Sequence, residues 1–231
     1  MDPRQRLIVA LDVDTEERAQ SLIHELTPHV GMFKVGQELF TTLGPGIVRS
    51  IIEGGGRVFL DLKYHDIPTT VARAVAAASR LGAFFITIHT SGGRAMLEAA
   101  ASALPAEGTQ LLGVTILTSH TDETLGETGS RGSVSESVRR LATLARESGV
   151  DGVVCSAHEI SLVREALGDE LLIVTPGIRP EGADKGDQAR VTTPGDARRL
   201  GCDYIVVGRP ITRASSPKDA ARAIVEELSA N

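Results

Sequence analysis

Cysteines, basic runs and long apolar stretches are all scarce in this sequence, and each scarcity argues against a class of protein. The two cysteines, Cys155 and Cys202, form neither a CxxC motif nor a Cys/His cluster with the spacing of structural zinc. No block of consecutive lysines or arginines occurs, and the net charge is −6 from 24 basic and 30 acidic residues. Such a charge does not favour binding to nucleic acid phosphates. We therefore expect buried structural cysteines, no metal site and no nucleic-acid partner.

Apolar runs are short throughout the chain. No uncharged stretch approaches the ~18–20 residues that a membrane-spanning helix needs. The amino-terminal segment MDPRQR leads directly into a short apolar run, without the hydrophobic region or the cleavage site of a signal peptide. These absences predict a cytoplasmic protein with no membrane partner.

Short runs rich in β-branched residues recur along the chain and mark candidate strands. At 231 residues the chain is close to the roughly 250 that are typical of a single α/β barrel. Most runs are continuously apolar before a polar carboxyl-terminal end, which is typical of parallel strands covered on both faces. Strands are predicted at residues 7–13, 31–36, 57–63, 84–89, 111–117, 152–157, 171–175 and 204–211.

Segments with apolar residues at helical spacing lie between these strands. Thr15 is placed to cap the first of them, and Gly44-Pro45-Gly46 interrupts the segment 37–53. The regular alternation favours one domain, residues 1–231, folded as a closed (β/α)8 TIM barrel, with an open doubly wound sheet as the alternative. Further helices are predicted at residues 15–26, 68–81, 94–104, 135–148, 159–167, 193–200 and 217–228.

Two predicted connections, residues 118–134 and 179–192, exceed the usual 2–6 residues of βα loops. Both follow strands, and in a barrel such loops lie on the face that carries the active site. The second, RPEGADKGDQARVT, is polar and contains glycine, as a mobile cover over a substrate would. A solvated loop without function is the alternative.

Charged residues occupy positions where a buried strand is normally apolar. In RVFLDLK the alternation of a strand places Asp61 and Lys63 opposite Leu62, so the two charges point into the barrel. Asp12 ends the first predicted strand, and Lys34 lies in the second. Buried ion pairs are weak evidence for stability, so four converging charges favour a functional site over a structural ion-pair layer.

A further carboxylate, Asp66, follows Lys63 within the segment DLKYHD. Lysines interleaved with carboxylates give each acid a cationic neighbour, so all of these groups can stay ionised. Such an array holds an ionised lysine next to a position where negative charge develops, and the lysine can also supply its proton. The residues therefore predict chemistry on a carbanion.

Four other residues indicate a site for a phosphate group. Barrels often bind phosphate with the loops after strands 7 and 8, where this sequence has Arg179, Gln188, Gly208 and Arg209. Arginine offers a planar fork to phosphate oxygens, and glycine lets a backbone N–H approach closely. Walker A and GxGxxG motifs are missing, so we assign the phosphate to the substrate.

In their order along the chain, these motifs resemble those of the orotidine 5′-phosphate decarboxylases, which convert orotidine monophosphate to UMP. The DxKxxD core is shared with metal-dependent barrel enzymes, the hexulose-phosphate synthases and ketogulonate-phosphate decarboxylases, whereas the continuation IPTT narrows the resemblance to the first family. The matching segments are LD at 11–12, KVG at 34–36, DLKYHDIPTT at 61–70, HTSGG at 89–93, LTS at 117–119, TPGIR at 175–179, DQ at 187–188 and VGRPI at 207–211.

The resemblance implies a role for each charged residue and implies no cofactor. Lys63 would stabilise a carbanion at C6 of the pyrimidine on loss of CO₂ and then donate a proton to it. Asp61 would lie against the leaving carboxylate, with Lys34 and Asp66 completing the alternating network.

The resemblance also implies the contacts of a nucleotide substrate. Asp12 and Lys34 would hold the ribose hydroxyls, and Thr118 with its neighbour Ser119 would contact the base. The loop around Gln188 would close over the phosphate. The residues that would bind the 5′-phosphate are Arg179, Gln188, Gly208 and Arg209.

In this family Asp66, Ile67 and Thr70 reach the site of the neighbouring subunit, so a homodimer is implied. Two other functions stay open: a Mg²⁺-dependent sugar-phosphate aldolase or decarboxylase of the same superfamily, and a catalytically silent barrel that binds nucleotides or partners. Sensitivity to EDTA distinguishes the first from a cofactor-independent reaction. The intact charged residues argue against the second.

Overall fold

A computed structural model of the chain describes residues 2–180 and 192–229. Within them, eight parallel strands pair in sequence order, and the last pairs with the first, so the sheet closes into a barrel. The predicted (β/α)8 TIM barrel is confirmed, and the open doubly wound alternative is wrong. The strands are β1 (Leu7–Ala10), β2 (Met32–Gly36), β3 (Val58–Tyr64), β4 (Phe85–His89), β5 (Gln110–Val114), β6 (Gly152–Val154), β7 (Leu172–Thr175) and β8 (Tyr204–Val207).

Helices follow the strands and cover the outside of the barrel. The Thr15 hydroxyl accepts a hydrogen bond from the Arg18 backbone N–H, which caps the first helix as predicted. None of the described helices is long and apolar enough to cross a membrane. The helices are α1 (Glu16–Leu26), α2 (Gln37–Leu43), α3 (Gly46–Glu53), α4 (Pro68–Arg80), α5 (Arg94–Ser102), α6 (Asp122–Glu127), α7 (Val134–Glu147), α8 (Ile160–Leu167), α9 (Pro194–Arg199), α10 (Arg209–Thr212) and α11 (Pro217–Ser229).

Several predicted boundaries are wrong at the carboxyl ends of strands. The strand predicted at 7–13 ends at Ala10, because the ladder to β2 stops there while Leu11 remains fully buried. Apolar sequence therefore continues past the last ladder pair. The strand predicted at 204–211 ends at Val207 and is followed by α10, and the connection 118–134 contains α6.

The barrel interior is filled by its own apolar layer, distinct from the outer core between strands and helices. Phe85 packs edge-on against Phe59 and Tyr204, with ring centroids 5.8 and 5.1 Å away. This arrangement closes the barrel beneath its mouth. The inner layer consists of Ile8, Ala10, Met32, Phe59, Phe85, Leu112, Val174, Tyr204 and Val206.

Candidate active site

A cavity of about 520 Å³ opens at the carboxyl ends of the strands, directly above the inner apolar layer. Loops that follow strands form its walls, as the barrel architecture dictates. Thr118 lies on its wall, whereas the neighbouring Ser119 is not among the residues that line it. The predicted site residues that line the cavity are Asp12, Lys34, Asp61, Lys63, Thr118, Arg179, Gly208 and Arg209.

A row of alternating charges crosses the floor of this cavity. The Lys63 ammonium lies 2.8 Å from Asp61 Oδ2, and the Lys34 ammonium lies 3.7 Å from the same oxygen. Lys34 also contacts Asp12 Oδ1 at 3.0 Å. Asp61 is buried and therefore has little solvent to screen it, but the two ammonium groups flank its carboxylate. The row thus presents an ammonium group to the cavity without leaving the buried acid uncompensated.

Lys63 reaches the cavity from an irregular part of β3. The pairing of β3 with β4 passes from Leu60↔Ile86 to Tyr64↔Ile88, so three residues of β3 lie opposite Thr87 alone. Among the described residues other than glycine, Lys63 is the one with a positive φ, 51°. The side chain contacts Asp61 as the sequence alternation predicts, but its backbone is not that of a regular strand.

The sequence analysis missed Thr87. Its hydroxyl accepts a hydrogen bond from the Lys63 N–H at 2.9 Å and donates one to Asp61 Oδ1 at 3.0 Å. The same kind of observation that identified Asp61 could have found it, since Thr87 is a polar residue at an inward position of an apolar strand. Glu38 and Arg213, which line the cavity, were also not predicted.

The arginines and the glycine predicted to bind phosphate line the same cavity. Arg179 is buried, and its Nη1 donates to the Ile178 carbonyl at 3.1 Å. A Cβ at Gly208 would lie 3.5 Å from the Cβ of Ala10, at the end of β1, and 3.6 Å from Asp12 Oδ2. Arg209 begins α10 beside it. Gln188 falls outside the described residues.

Three predicted site residues lie on the rim rather than in the cavity. Asp66 Oδ1 accepts a hydrogen bond from the Ile67 N–H at 2.6 Å, and within residues 2–180 and 192–229 Asp66 forms no salt bridge. Ile67 is 67% exposed, and Thr70 is exposed in the first turn of α4. Asp66 therefore does not join the charge row of its own chain.

Two histidines lie beside Lys63. The rings of His65 and His89 are 5.5 Å apart between centroids. Partial burial lowers the pKa of His89, and the nearby His65 and Lys63 lower it further. Asp61 opposes this shift, and the net lowering of the pKa favours the neutral form of His89.

Comparisons with known proteins identify a family, sequence relatives and a solved structure that this chain is similar to. Residues 5–224 match the family model described as Orotidine 5′-phosphate decarboxylase / HUMPS family. An orotidine 5′-phosphate decarboxylase of Moorella thermoacetica is 51% identical, over 99% of this chain and 94% of that protein. One from Syntrophotalea carbinolica is 50% identical, over 100% of this chain and 97% of that protein. The crystal structure of orotidine 5′-phosphate decarboxylase from Lactobacillus acidophilus superposes with a TM-score of 0.87 at 43% identity, covering 97% of this chain and 99% of that chain.

Proposed function

Because the chain belongs to the orotidine 5′-phosphate decarboxylase / HUMPS family, we propose that it converts orotidine 5′-monophosphate to UMP and CO₂ without a cofactor. This is the last step of de novo pyrimidine nucleotide synthesis. The observation that carries the proposal is the Lys63 ammonium, which lies 2.8 Å from the Asp61 carboxylate in the cavity. A carbon–carbon lyase that forms a carbanion needs such a cation at the reacting carbon.

The proposed chemistry has two steps at C6 of the pyrimidine. The bond from C6 to the carboxylate breaks, CO₂ leaves, and the electron pair stays on C6 as a carbanion. The Lys63 ammonium stabilises that charge and then donates its proton to C6, which yields UMP. The neutral amine takes up a proton from solvent before the next turnover.

Asp61 contributes by its position between the two lysines. A substrate carboxylate ~4 Å from Asp61 would be repelled by about 4 kcal/mol at an effective dielectric near 20. That energy corresponds to only about a thousandfold in rate. We therefore attribute most of the rate enhancement to Lys63 and to exclusion of water from the cavity, and less of it to repulsion by Asp61. Lys34 contacts the same Asp61 oxygen, Oδ2, at 3.7 Å.

The charge row and the rest of the cavity provide the proposed contacts to the remainder of the nucleotide. Asp12 and Lys34, joined at 3.0 Å, bind the ribose hydroxyls, and Thr118 contacts the base. Binding energy from the distant phosphate would help to order the closed site. The 5′-phosphate is bound by Arg179, Gln188, Arg209 and the backbone N–H of Gly208.

We also propose a homodimer in which Asp66, Ile67 and Thr70 complete the site of the partner subunit. The direction of Asp66 supports this, because its carboxylate bonds to the Ile67 N–H and not to Lys34 or Lys63 of its own chain. Ile67 beside it is 67% exposed, so its side chain is accessible to a partner subunit.

Subunit mixing tests the dimer. Lys63→Ala and Asp66→Asn are each expected to be nearly inactive alone. After unfolding and refolding together, half of the dimers are mixed and each has one intact site, so about a quarter of wild-type activity returns. No recovery from a mixture that refolds to dimers would contradict the shared site.

The direct test of the reaction is the fall in ultraviolet absorbance of orotidine monophosphate on mixing with purified protein, with UMP identified as the product. Loss at equal rates with and without EDTA, and none with Lys63→Ala, is the expected result. No loss from folded wild-type protein would refute the proposal. Sugar phosphates with Mg²⁺ would then be tested as substrates of the metal-dependent relatives.

A further inference from the structure

Thr87 is a polar residue with no exposed surface, on the inward face of β4 just above Phe85 of the inner apolar layer. A hydroxyl buried in such a place is costly unless it is hydrogen-bonded. Its two partners are the Lys63 N–H at 2.9 Å and Asp61 Oδ1 at 3.0 Å. Both partners belong to residues of the charge row, although Thr87 itself is not among the residues that line the cavity.

The direction of these two hydrogen bonds is determined by the chemistry of the partners. A backbone N–H can only donate, and an ionised carboxylate can only accept. The hydroxyl therefore accepts from Lys63 and donates to Asp61, so its rotor has one orientation. Thr87 links the backbone of Lys63 to the carboxylate of Asp61 in a single chain of hydrogen bonds.

The Lys63 backbone needs this partner because of the irregularity in β3. Regular pairing skips residues 61–63, so the β4 backbone directly opposite does not continue the regular ladder there. Lys63 also has a φ of 51°, a conformation that residues other than glycine seldom adopt. The Thr87 hydroxyl satisfies the Lys63 N–H in this conformation.

The Asp61 carboxylate is divided between two sets of donors. Oδ1 accepts from Thr87, while Oδ2 faces Lys63 at 2.8 Å and Lys34 at 3.7 Å. A carboxylate held through one oxygen cannot rotate freely, so the other oxygen stays directed at the lysines. Thr87 thus restricts the rotation of the Asp61 carboxylate about its Cβ–Cγ bond.

We propose that Thr87 is a positioning residue that holds Lys63 and Asp61 in their reactive arrangement without touching the substrate. Its kinetic test rests on the decarboxylase function proposed above. A side chain that aligns a reacting group is expected to change kcat more than substrate affinity, because the misplaced group matters mainly in the transition state.

The test compares Thr87→Val, which removes the hydroxyl at nearly constant shape, with Thr87→Ser, which keeps it. For Thr87→Val we expect kcat to fall by about 10- to 100-fold, with KM and the Kd of UMP within about threefold of wild type. Thr87→Ser is expected to stay within about threefold of the wild-type kcat.

Thr90→Val is the matched control. Thr90 is equally buried, and its hydroxyl donates to the Val114 carbonyl at 2.8 Å and not to a residue of the charge row. It is expected to lower Tm as Thr87→Val does but to leave kcat unchanged. If Thr87→Val does not fold, Thr87→Ala is compared with Thr87→Ser, since these differ only in the hydroxyl.

An unchanged kcat in folded Thr87→Val, or an equal loss in Thr87→Ser, would overturn the proposal. An equal loss in Thr90→Val would overturn it too. If wild-type protein does not act on orotidine monophosphate, the proposed function fails, and a crystal structure of the variant then tests Thr87 separately. We expect the Lys63 Nζ–Asp61 Oδ2 distance to exceed about 4 Å there. An unchanged distance would refute the positioning role.

Discussion

The inner apolar layer and the charge row above it are formed by the same faces of the same strands, two residues apart along each strand. Their chemistry differs completely. Met32 is followed two residues later by Lys34, and Phe59 by Asp61. The lower residues are fully or almost fully buried in apolar packing, whereas Lys34 and Asp61 line an open cavity. The alternation of a strand makes this possible, because residues i and i+2 share a face.

The difference shows how the barrel separates stability from reactivity. Aromatic edge-on packing around Phe85 removes apolar surface from water and stabilises the closed sheet. The charge row above it adds little to stability, because desolvation of ions offsets their attraction. The two layers should therefore respond differently to mutation. Substitutions in the charge row, the upper layer, should lower activity, and substitutions in the inner apolar layer, the lower one, should lower stability.

Lys63→Ala is expected to give the largest effect. Loss of both the cation and the proton donor should lower kcat by about 10⁴-fold or more, while the Kd of UMP stays within about tenfold. Steady-state kinetics and calorimetric titration with UMP measure the two quantities. An active Lys63→Ala enzyme would show that the reaction does not depend on Lys63 of the charge row.

Phe85→Ala tests the lower layer. Removing a fully buried ring should reduce the free energy of unfolding by about 3–5 kcal/mol, because the barrel relaxes only partly into the space left. The kcat of the molecules that remain folded should stay within about tenfold of wild type. Urea titration and kinetics on the same samples check both, and a stable but inactive variant would show that the layers are not separable.

Gly36→Ala is expected to affect the upper layer more mildly. A Cβ at Gly36 would lie 3.0 Å from Lys34 Nζ and 3.6 Å from Asp12 Oδ1. Since the Lys34 ammonium is the end of a flexible side chain, it shifts at little cost in stability, and kcat/KM should fall by about tenfold.

The control for this variant is Gly46→Ala. A Cβ at Gly46 in α3 would meet nothing within 4 Å, so activity should stay unchanged and stability should stay the same or rise by up to about 1 kcal/mol. Equal kinetics for the two variants would mean that the close approach of Gly36 to Lys34 has no functional consequence.

The smallest effect is expected at the cysteines of the outer core. Burial raises the pKa of Cys202 to about 12 and that of Cys155 well above its ordinary value. Because thiolates react and thiols do not, neither should react with a disulfide reagent at pH 8 until guanidinium unfolds the protein. Rapid reaction of Cys202 in the native protein would show that the outer core opens to solvent, whereas rapid reaction of Cys155 would show that the reagent reaches it from the cavity, which it lines.

The sequence alone predicted the alternation of strands and helices, the cap at Thr15 and the break between α2 and α3, because these depend on neighbouring residues. It also identified Asp61 and Lys63 as inward charges, since the period of a strand is local. In a barrel of parallel strands, all carboxyl ends lie on the same face. The fold class therefore predicts that these charges lie near Lys34.

Other features depended on contacts between distant parts of the chain. The positive φ of Lys63 is supported by Thr87, and Thr87 contacts Asp61 across 26 residues of sequence. The direction of Asp66 away from its own charge row was likewise not visible in the residue pattern. Residue patterns report which side chains a strand or helix can bury. Only closure of the barrel determines which hydrogen-bond partners those side chains find.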